Sequence, residues 1–272
     1  MAKFSPLLTL AVLLAAASTA PAALIAQWDF STGTLADLTS SNGQYTFQSA
    51  NVPDITYNVG SITLGATAEL VATGINSTAM PGLTRSVTIW LRGRYDAQPA
   101  SSVASFYAGL VSQNTPADWD QMSMVTFHYG GVNEGVYGRN AAQNIDMGTT
   151  RPLAVQAGTD FTMALVFTTG LNAAGQPDPT LGQMRFNFNG ADYSSASAST
   201  TLAAFTSLAL GQLKASGGPG TPGLGVPFTF DEVRVYDTSL TAAEIAAIPE
   251  PATLALCALA GLGLLAKRRQ IR

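Results

Sequence analysis

The acidic side chains of this chain lack the pairing that acid–base catalysis on a sugar requires. Retaining glycosidases hold two carboxyl groups about 5–5.5 Å apart, and alternate positions of one strand can provide such a pair. The five glutamates stand isolated at Glu69, Glu134, Glu232, Glu244 and Glu250. Asp231 and Glu232 are adjacent, so in a regular strand they would point to opposite faces. The sequence therefore predicts no catalytic carboxylate pair.

Other catalytic residue types are scarce. The chain has one histidine, His128, and one cysteine, Cys257. A single histidine excludes a multi-histidine metal centre, and a Ser-His-Asp triad would depend on it without a nucleophile elbow of the Gly-x-Ser-x-Gly kind. Because Cys257 lies in an apolar stretch near the end, the rest of the chain has no disulfide. We predict no catalytic residues and no enzymatic activity, with a divergent glycan-active hydrolase as the alternative.

Aromatic and planar polar residues concentrate between positions 107 and 145, among Gly, Asn and Asp. Ligand sites combine aromatic surface with a few placed polar groups, and they are commonly carried on loops of a rigid scaffold. The candidate carbohydrate-binding residues are Trp119, His128, Tyr129, Tyr137, Arg139 and Asn140. The alternative is that the aromatic members that follow strand patterns belong to the core.

The charge is distributed unevenly along the chain. Of 13 basic residues, Lys3 and four in the last six positions lie in the end segments, so residues 23–251 keep eight basic against 17 acidic residues, a net −9. A domain this acidic repels phosphate backbones. We therefore predict that nucleic acid is not a partner.

The N-terminal segment has the composition of a cleavable secretion signal. It begins Met1-Ala2-Lys3, continues with an apolar run over 7–17 and ends in the small residues Ala20-Pro21-Ala22. The run falls short of the roughly 20 apolar residues of a membrane span, which makes a transmembrane anchor the weaker alternative. We expect signal peptidase to cut after Ala22, which defines residues 1–22 as a signal peptide.

The C-terminal segment 249–272 has three parts in a fixed order: Pro249-Glu250-Pro251, an apolar stretch over 252–266, and a basic end. The basic end includes Lys267, Arg268 and Arg269. As a helix, the apolar stretch would be about 22 Å long, which is short for a permanent span, and the cations would hold its end in the cytoplasm. These three parts together resemble the PEP-CTERM sorting signal.

This resemblance implies a route through the cell. The C-terminal helix would insert transiently in the inner membrane of a Gram-negative-type bacterium, where an exosortase-type membrane protease would cut near Pro249-Glu250-Pro251. The protein would then reach the cell surface or extracellular matrix, a location associated in that family with exopolysaccharide and biofilm. A permanent single-span anchor that retains 252–272 is the alternative.

Residues 23–248 have the pattern of one all-β domain. Short β-branched and aromatic runs with period-two alternation are separated by Gly, Asn, Asp, Ser and Pro clusters, which predicts a two-sheet antiparallel sandwich. The predicted strands are 25–30, 44–48, 61–64, 67–72, 85–94, 103–112, 122–129, 134–139, 161–168, 182–189, 206–211 and 226–237. Thr241 and Glu244 form a capping box that predicts one short helix after the last strand.

Several segments resemble concanavalin A-like, laminin-G-like domains. The strongest likeness is the strand at 231–237 followed by 239–245, and weaker ones occur at 27–30, 86–91 and 186–190. The resemblance implies a jelly roll that binds carbohydrate or protein, or serves a structural role. The chain departs from the family at Thr159-Asp160-Phe161-Thr162, where a Trp-His-His pattern is common.

The same resemblance implies a structural Ca²⁺ that pins the chain ends, with no other cofactor required. Calcium takes hard oxygen ligands, and the residues to test are Asp29 on the first strand and Asp231 on the last. The alternative is that Asp231 bonds backbone amides of a turn.

Overall fold

A computed structural model describes residues 22–50, 52–65, 68–96, 103–111, 122–128, 135–140, 143–145, 157–171, 173–174, 177–194, 205–211 and 227–249. Its strands are β1 (Leu24–Trp28), β2 (Gln48–Ala50), β3 (Ile55–Asn58), β4 (Ser61–Leu64), β5 (Glu69–Ala72), β6 (Ser86–Tyr95), β7 (Val103–Val111), β8 (Met122–His128), β9 (Gly135–Asn140), β10 (Gln143–Ile145), β11 (Phe161–Leu171), β12 (Pro177–Phe188), β13 (Ala191–Ser194), β14 (Ser207–Gly211) and β15 (Phe228–Tyr236). Short 3-10 helices occupy Leu35–Leu38, Val52–Asp54 and Pro81–Thr84, and helix α1 spans Ala242–Ala246.

The strands form two antiparallel sheets. The eight-stranded sheet has the order β13-β12-β11-β6-β15-β4-β3, with β1 also paired to β15. The seven-stranded sheet has the order β10-β9-β8-β7-β14-β5-β2. The last strand of the sandwich, β15, therefore lies between β6 and β4, and pairs with them through residues more than a hundred positions away in sequence.

One core fills the space between the sheets. Val87, Ile89 and Leu91 point inward from β6, and Leu70 and Leu210 point inward from the facing sheet. Each such side chain contributes about 1.5–3 kcal/mol when fully buried. The alternation leaves the intervening residues of each strand on the outer face. These observations confirm the prediction of an all-β, two-sheet antiparallel sandwich.

Three strands of the structure were not predicted from the sequence, and one predicted strand lies at a different position. β3, β10 and β13 were not predicted, and the strand expected at 44–48 lies at β2, with an isolated bridge between Thr39 and Thr46. β13 follows Asn189 and Gly190, both with positive φ (46° and 82°). Asn-Gly with two positive φ angles is a hairpin turn of the primed kind. That turn reverses the chain so that β13 pairs with β12.

The helix prediction is confirmed in detail. Thr241 is the N-cap of α1, its hydroxyl accepts the Glu244 N–H, and the Glu244 side chain accepts the Thr241 N–H. This reciprocal pair satisfies two backbone donors that the helix itself leaves open.

The two end segments lie almost entirely outside the described residues. Ala22 and Pro249 are described, whereas 1–21 and 250–272, including Glu250, Pro251, Lys267, Arg268 and Arg269, are not. Within the part of the chain that the structure describes, no helix has the length and apolarity that a membrane crossing requires. The signal peptide and the sorting tail stay predictions.

Candidate functional site

The outer face of the eight-stranded sheet carries an unusual concentration of charge. It arises because alternate residues of β6 and β15 point away from the core and stand opposite one another across the ladder. The facing pairs are Thr88 with Tyr236, Trp90 with Arg234, Arg92 with Glu232, and Arg94 with Thr229.

A β-bulge adds Asp231 to this face. The register between β15 and β6 shifts between Phe230 and Glu232, so the alternation of side chains is interrupted there. Asp231 contacts Arg92 and Arg94 on the outer face, and Glu232 lies on the same face. The prediction that these two carboxylates point to opposite faces is wrong, because it assumed a regular strand.

Arg92 and Arg94 form an ionic cluster with three aspartates. Asp231 lies 3.6 Å from the Nε of Arg92 and 3.3 Å from an Nη of Arg94, which is also 3.3 Å from Asp160. Arg94 Nε lies 3.6 Å from Asp96. Burial raises the pKa of Asp231, and the nearby charge of Asp160 raises it further, while the two arginines oppose both effects. With two cations against three anions, the cluster favours neutral ligands over anionic ones.

A second ionic pair, Glu232 with Arg234, is almost completely buried beside the first. Glu232 Oε1 accepts hydrogen bonds from Arg234 Nε at 2.6 Å and Gln27 Nε2 at 2.7 Å, while Oε2 has no hydrogen-bond partner. Burial raises the pKa of Glu232, and Arg234 opposes that rise. The guanidinium carbon of Arg234 lies 5.4 Å from the ring centroid of Trp90, which is a cation–π contact.

A cavity of about 410 Å³ lies on this outer face, next to the ionic cluster. That volume is within the range of small-molecule sites. The polar side chains that line it are Arg92, Asp160, Thr162 and Asn189. The remaining lining residues are Trp90, Phe161, Gly190, Ile245, Ala246 and Ile248.

The cavity has hydrogen-bond donors and an acceptor within one space. Arg92 provides guanidinium N–H donors, while its Nε is buried and lies 3.6 Å from Asp231. Asp160 provides carboxylate oxygens, and Asn189 provides an amide. Trp90 and Phe161 are only 2% and 4% exposed, so they form an apolar floor rather than an open stacking face. This arrangement suits a small ligand rich in hydroxyl groups, since each hydroxyl both donates and accepts.

Residues at the C-terminal end of the described chain form one wall of the cavity. We call residues 241–249, which comprise the N-cap Thr241, α1 and the three residues after it, the terminal cap. Ile245 of the cap belongs to one buried apolar cluster with Trp90, Ala164, Val166, Tyr236 and Leu240, and Ile248 packs against this cluster. Beyond α1, Arg234 donates a hydrogen bond to the carbonyl of Pro249 at 3.4 Å.

The structure places four of the six predicted carbohydrate-binding residues, and none of these four lines the cavity. His128 ends β8 opposite Val103, and Tyr137, Arg139 and Asn140 lie in β9, all within the seven-stranded sheet. Trp119 and Tyr129 lie outside the described residues. Nothing in the described residues brings these six together as a site, and their role stays a prediction.

The two candidate calcium ligands have other partners. Asp29 accepts the backbone N–H of Ser31 at 3.3 Å, and Asp231 is engaged with two arginines. Positive charge next to Asp231 does not favour a further cation there. Among the described residues no three His, Cys, Asp or Glu side chains group as metal ligands. The calcium site stays a prediction.

Sequence reasoning did not identify the residues of the cavity. One signal was present: Arg92 and Arg94 alternate with buried positions of β6, which indicates a polar outer face. Asp160 and Asn189 offered no such signal, because each lies at a strand end and joins the cavity only through the pairing of β11 with β6 and β12.

No protein-family model matches this chain, and no curated protein matches it. Among solved structures, the chain is similar to Trypanosoma rangeli sialidase, with 14% identity and a TM-score of 0.48 over 82% of this chain and 32% of that one. It is also similar to the binding domain of botulinum neurotoxin DC in complex with rat synaptotagmin II, with 12% identity and a TM-score of 0.49 over 82% of this chain and 50% of that one. The chain thus spans a third to a half of these proteins. At these identities and TM-scores the likeness carries no conclusion about what this chain does.

Proposed function

We propose that this protein is an exported, non-catalytic surface module whose jelly-roll sandwich binds carbohydrate in the outer-face cavity. The observation that carries the proposal is the shared lining of one cavity by the Arg92 guanidinium, which donates, and the Asp160 carboxylate, which accepts. A sugar hydroxyl can accept from the first group and donate to the second.

The surroundings of the cavity support a neutral sugar rather than a charged one. The excess of one negative charge in the adjoining cluster disfavours phosphorylated or uronic ligands. The end segments of the sequence support the location: a signal peptide over 1–22 and a PEP-CTERM-like tail over 249–272 would deliver the domain to the outside of the cell. Extracellular polysaccharide is then the carbohydrate that the domain would meet.

Binding is tested with the full chain on a glycan array, using Arg92→Met and the exposed Arg85→Met as a matched control. Loss of a hydrogen bond from a charged donor costs about 1.5–3 kcal/mol, so we expect Arg92→Met to weaken binding about tenfold to hundredfold. Arg85→Met should bind as the unaltered protein does. Equal binding by the Arg92 variant, or no binding of any neutral glycan, would contradict the proposal.

Processing is tested separately by the intact mass of protein recovered from the cell surface and medium. We expect a species that begins after Ala22 and ends near Pro249-Glu250-Pro251. Recovery of the uncut precursor alone would exclude this part of the proposal.

A further inference from the structure

We infer that the terminal cap (residues 241–249) opens as one unit, so that its release opens the cavity and detaches the chain at Pro249 from the sheet in one step. The inference depends on the proposed function in one respect, namely that Pro249-Glu250-Pro251 is where the chain is processed. The physical coupling itself follows from the contacts of the cap.

The terminal cap forms part of the cavity and also includes Pro249, the first residue of the Pro-Glu-Pro motif. Ile245, Ala246 and Ile248 form one wall of the cavity. The next residue, Pro249, is held by the Arg234 guanidinium through its carbonyl. No spacer separates the wall of the cavity from the start of the Pro-Glu-Pro motif, so we expect the chain at Pro249 and that wall to leave the sheet together.

The cap is also the part of the domain that can open by itself. A helix of five residues is not stable alone in water, so α1 depends on its docking and on the Thr241–Glu244 capping box. Its docking rests on one deeply buried side chain, Ile245, together with the edge contact of Ile248. Local opening of such elements takes less free energy than global unfolding.

A fixed point just before the cap limits how far the opening can spread. The Thr88 hydroxyl donates to the carbonyl of Thr238 at 2.7 Å and accepts the Leu240 N–H at 2.9 Å. Arg185 also bonds to the carbonyl of Leu240. Because these bonds attach 238–240 to the sheet, the cap can leave while β15 stays paired.

Opening of the cap has two consequences, and the rates that measure them should change in proportion to the population of the open form. Trp90, which is 2% exposed, loses the cover of Ile245 and becomes accessible to solvent. The chain from Ala246 to Pro249, largely exposed even in the docked cap, becomes free to adopt the extended conformation that a protease binds, and cleavage follows the population of the open form when reclosing is fast. A ligand that contacts the cap in the cavity would reduce both, since coupling between two sites is reciprocal.

The test uses the full chain and the variant Thr241→Ala, which removes the N-cap hydroxyl outside the cavity, with Thr241→Ser as the control that keeps it. Loss of an N-cap residue should increase the open population about fivefold. Two readouts are followed in parallel: cleavage after Ala246 or Ala247 by elastase, which accepts small residues, and hydroxyl-radical labelling of Trp90. Trp28, which is 1% exposed and bonded to the Leu38 carbonyl in the main core, is the internal reference.

We expect both rates to rise about fivefold in Thr241→Ala, with Thr241→Ser and Trp28 unchanged. Faster cleavage without extra labelling of Trp90 would show that the chain end moves independently of the cavity, which overturns the inference. A parallel rise at Trp28 would show that the cap opens only with the whole sandwich, and it would overturn the inference as well. No glycan is used, so these results are independent of whether the protein binds carbohydrate.

Discussion

Replacing Arg234 by Met should be among the most destabilising single changes on the outer face of the sheet. Arg234 places its Nε and an Nη 2.6 Å from Glu232 Oε1, and both side chains are less than a tenth exposed. Removing one partner of a buried ion pair costs about 3–5 kcal/mol, because the remaining charge is left without compensation. Loss of the cation–π contact with Trp90 adds about 0.5–2 kcal/mol. We therefore expect Arg234→Met to lower the free energy of unfolding by about 5 kcal/mol at neutral pH.

The paired change Arg234→Met with Glu232→Gln isolates the cause. Replacing a whole buried pair by uncharged side chains of similar size is commonly neutral or stabilising. We expect the double variant to lie within about 1–2 kcal/mol of the unaltered protein. The difference between the single and the double variant then measures the cost of an uncompensated Glu232.

The loss of stability in Arg234→Met should also depend on pH, and the pKa of Glu232 determines in which direction. Burial raises the pKa of Glu232, and loss of Arg234, which opposes that rise, would raise it further. A carboxyl whose folded pKa exceeds its unfolded value contributes stability below the unfolded pKa of about 4.3 and loses it as the pH rises through the folded pKa. The deficit of Arg234→Met should therefore be full at neutral pH and shrink towards about pH 4.

Urea unfolding, followed by tryptophan fluorescence at both pH values, measures these free energies. The reasoning fails if the single variant is no less stable than the double variant. It also fails if the deficit of the single variant is the same in acid as at neutral pH.

Two further predictions concern the framework. In Gly93→Ala the new Cβ would lie 2.3 Å from the Thr229 carbonyl oxygen and 2.6 Å from the Phe228 ring, so we expect a loss of about 3 kcal/mol in urea unfolding, whereas Gly82→Ala, with nothing within 4 Å, should lose less than about 1 kcal/mol. Comparable losses in both variants would show that the close approach of β15 is not the cause. Asp37 accepts the backbone N–H groups of Thr32, Gly33 and Thr34, so Asp37→Ala should cost about 3 kcal/mol, and the exposed Asp237→Ala should stay within about 0.5 kcal/mol. A thermal midpoint for Asp37→Ala equal to that of the Asp237 variant would contradict this role.

The local features of the fold could be predicted because their causes are local. Val87, Ile89 and Leu91 alternate with outward residues, and this period identifies a strand with one buried face before any partner is known. The capping box of Thr241 and Glu244 likewise depends on residues three positions apart. The strands that were missed are short and lie at or next to sheet edges, where fewer core contacts select their residues.

The bulge at Asp231 shows why a correctly predicted strand can still give a wrong prediction of which face its side chains occupy. The sequence predicts a strand over 226–237, and the structure has β15 there, over Phe228–Tyr236. One extra residue relative to β6 nevertheless moves the Asp231 carboxylate to the same face as Glu232. The register between two strands depends on both partners, so the sequence of one strand does not reveal it.

By itself, the amino-acid sequence determined the class of this protein: an acidic all-β domain closed by a capped helix, with its periodic apolar positions as the core. Only the tertiary structure decided which residues line the outer-face cavity. Arg92, Asp160, Asn189 and Ile245 are far apart in the chain, and they line one cavity because β11 pairs with both β6 and β12 and because the terminal cap folds back onto the same face. The periodicity of apolar residues is a property of a few neighbouring residues. The cavity depends instead on pairing between strands that are tens of residues apart, and a local sequence pattern does not predict that pairing.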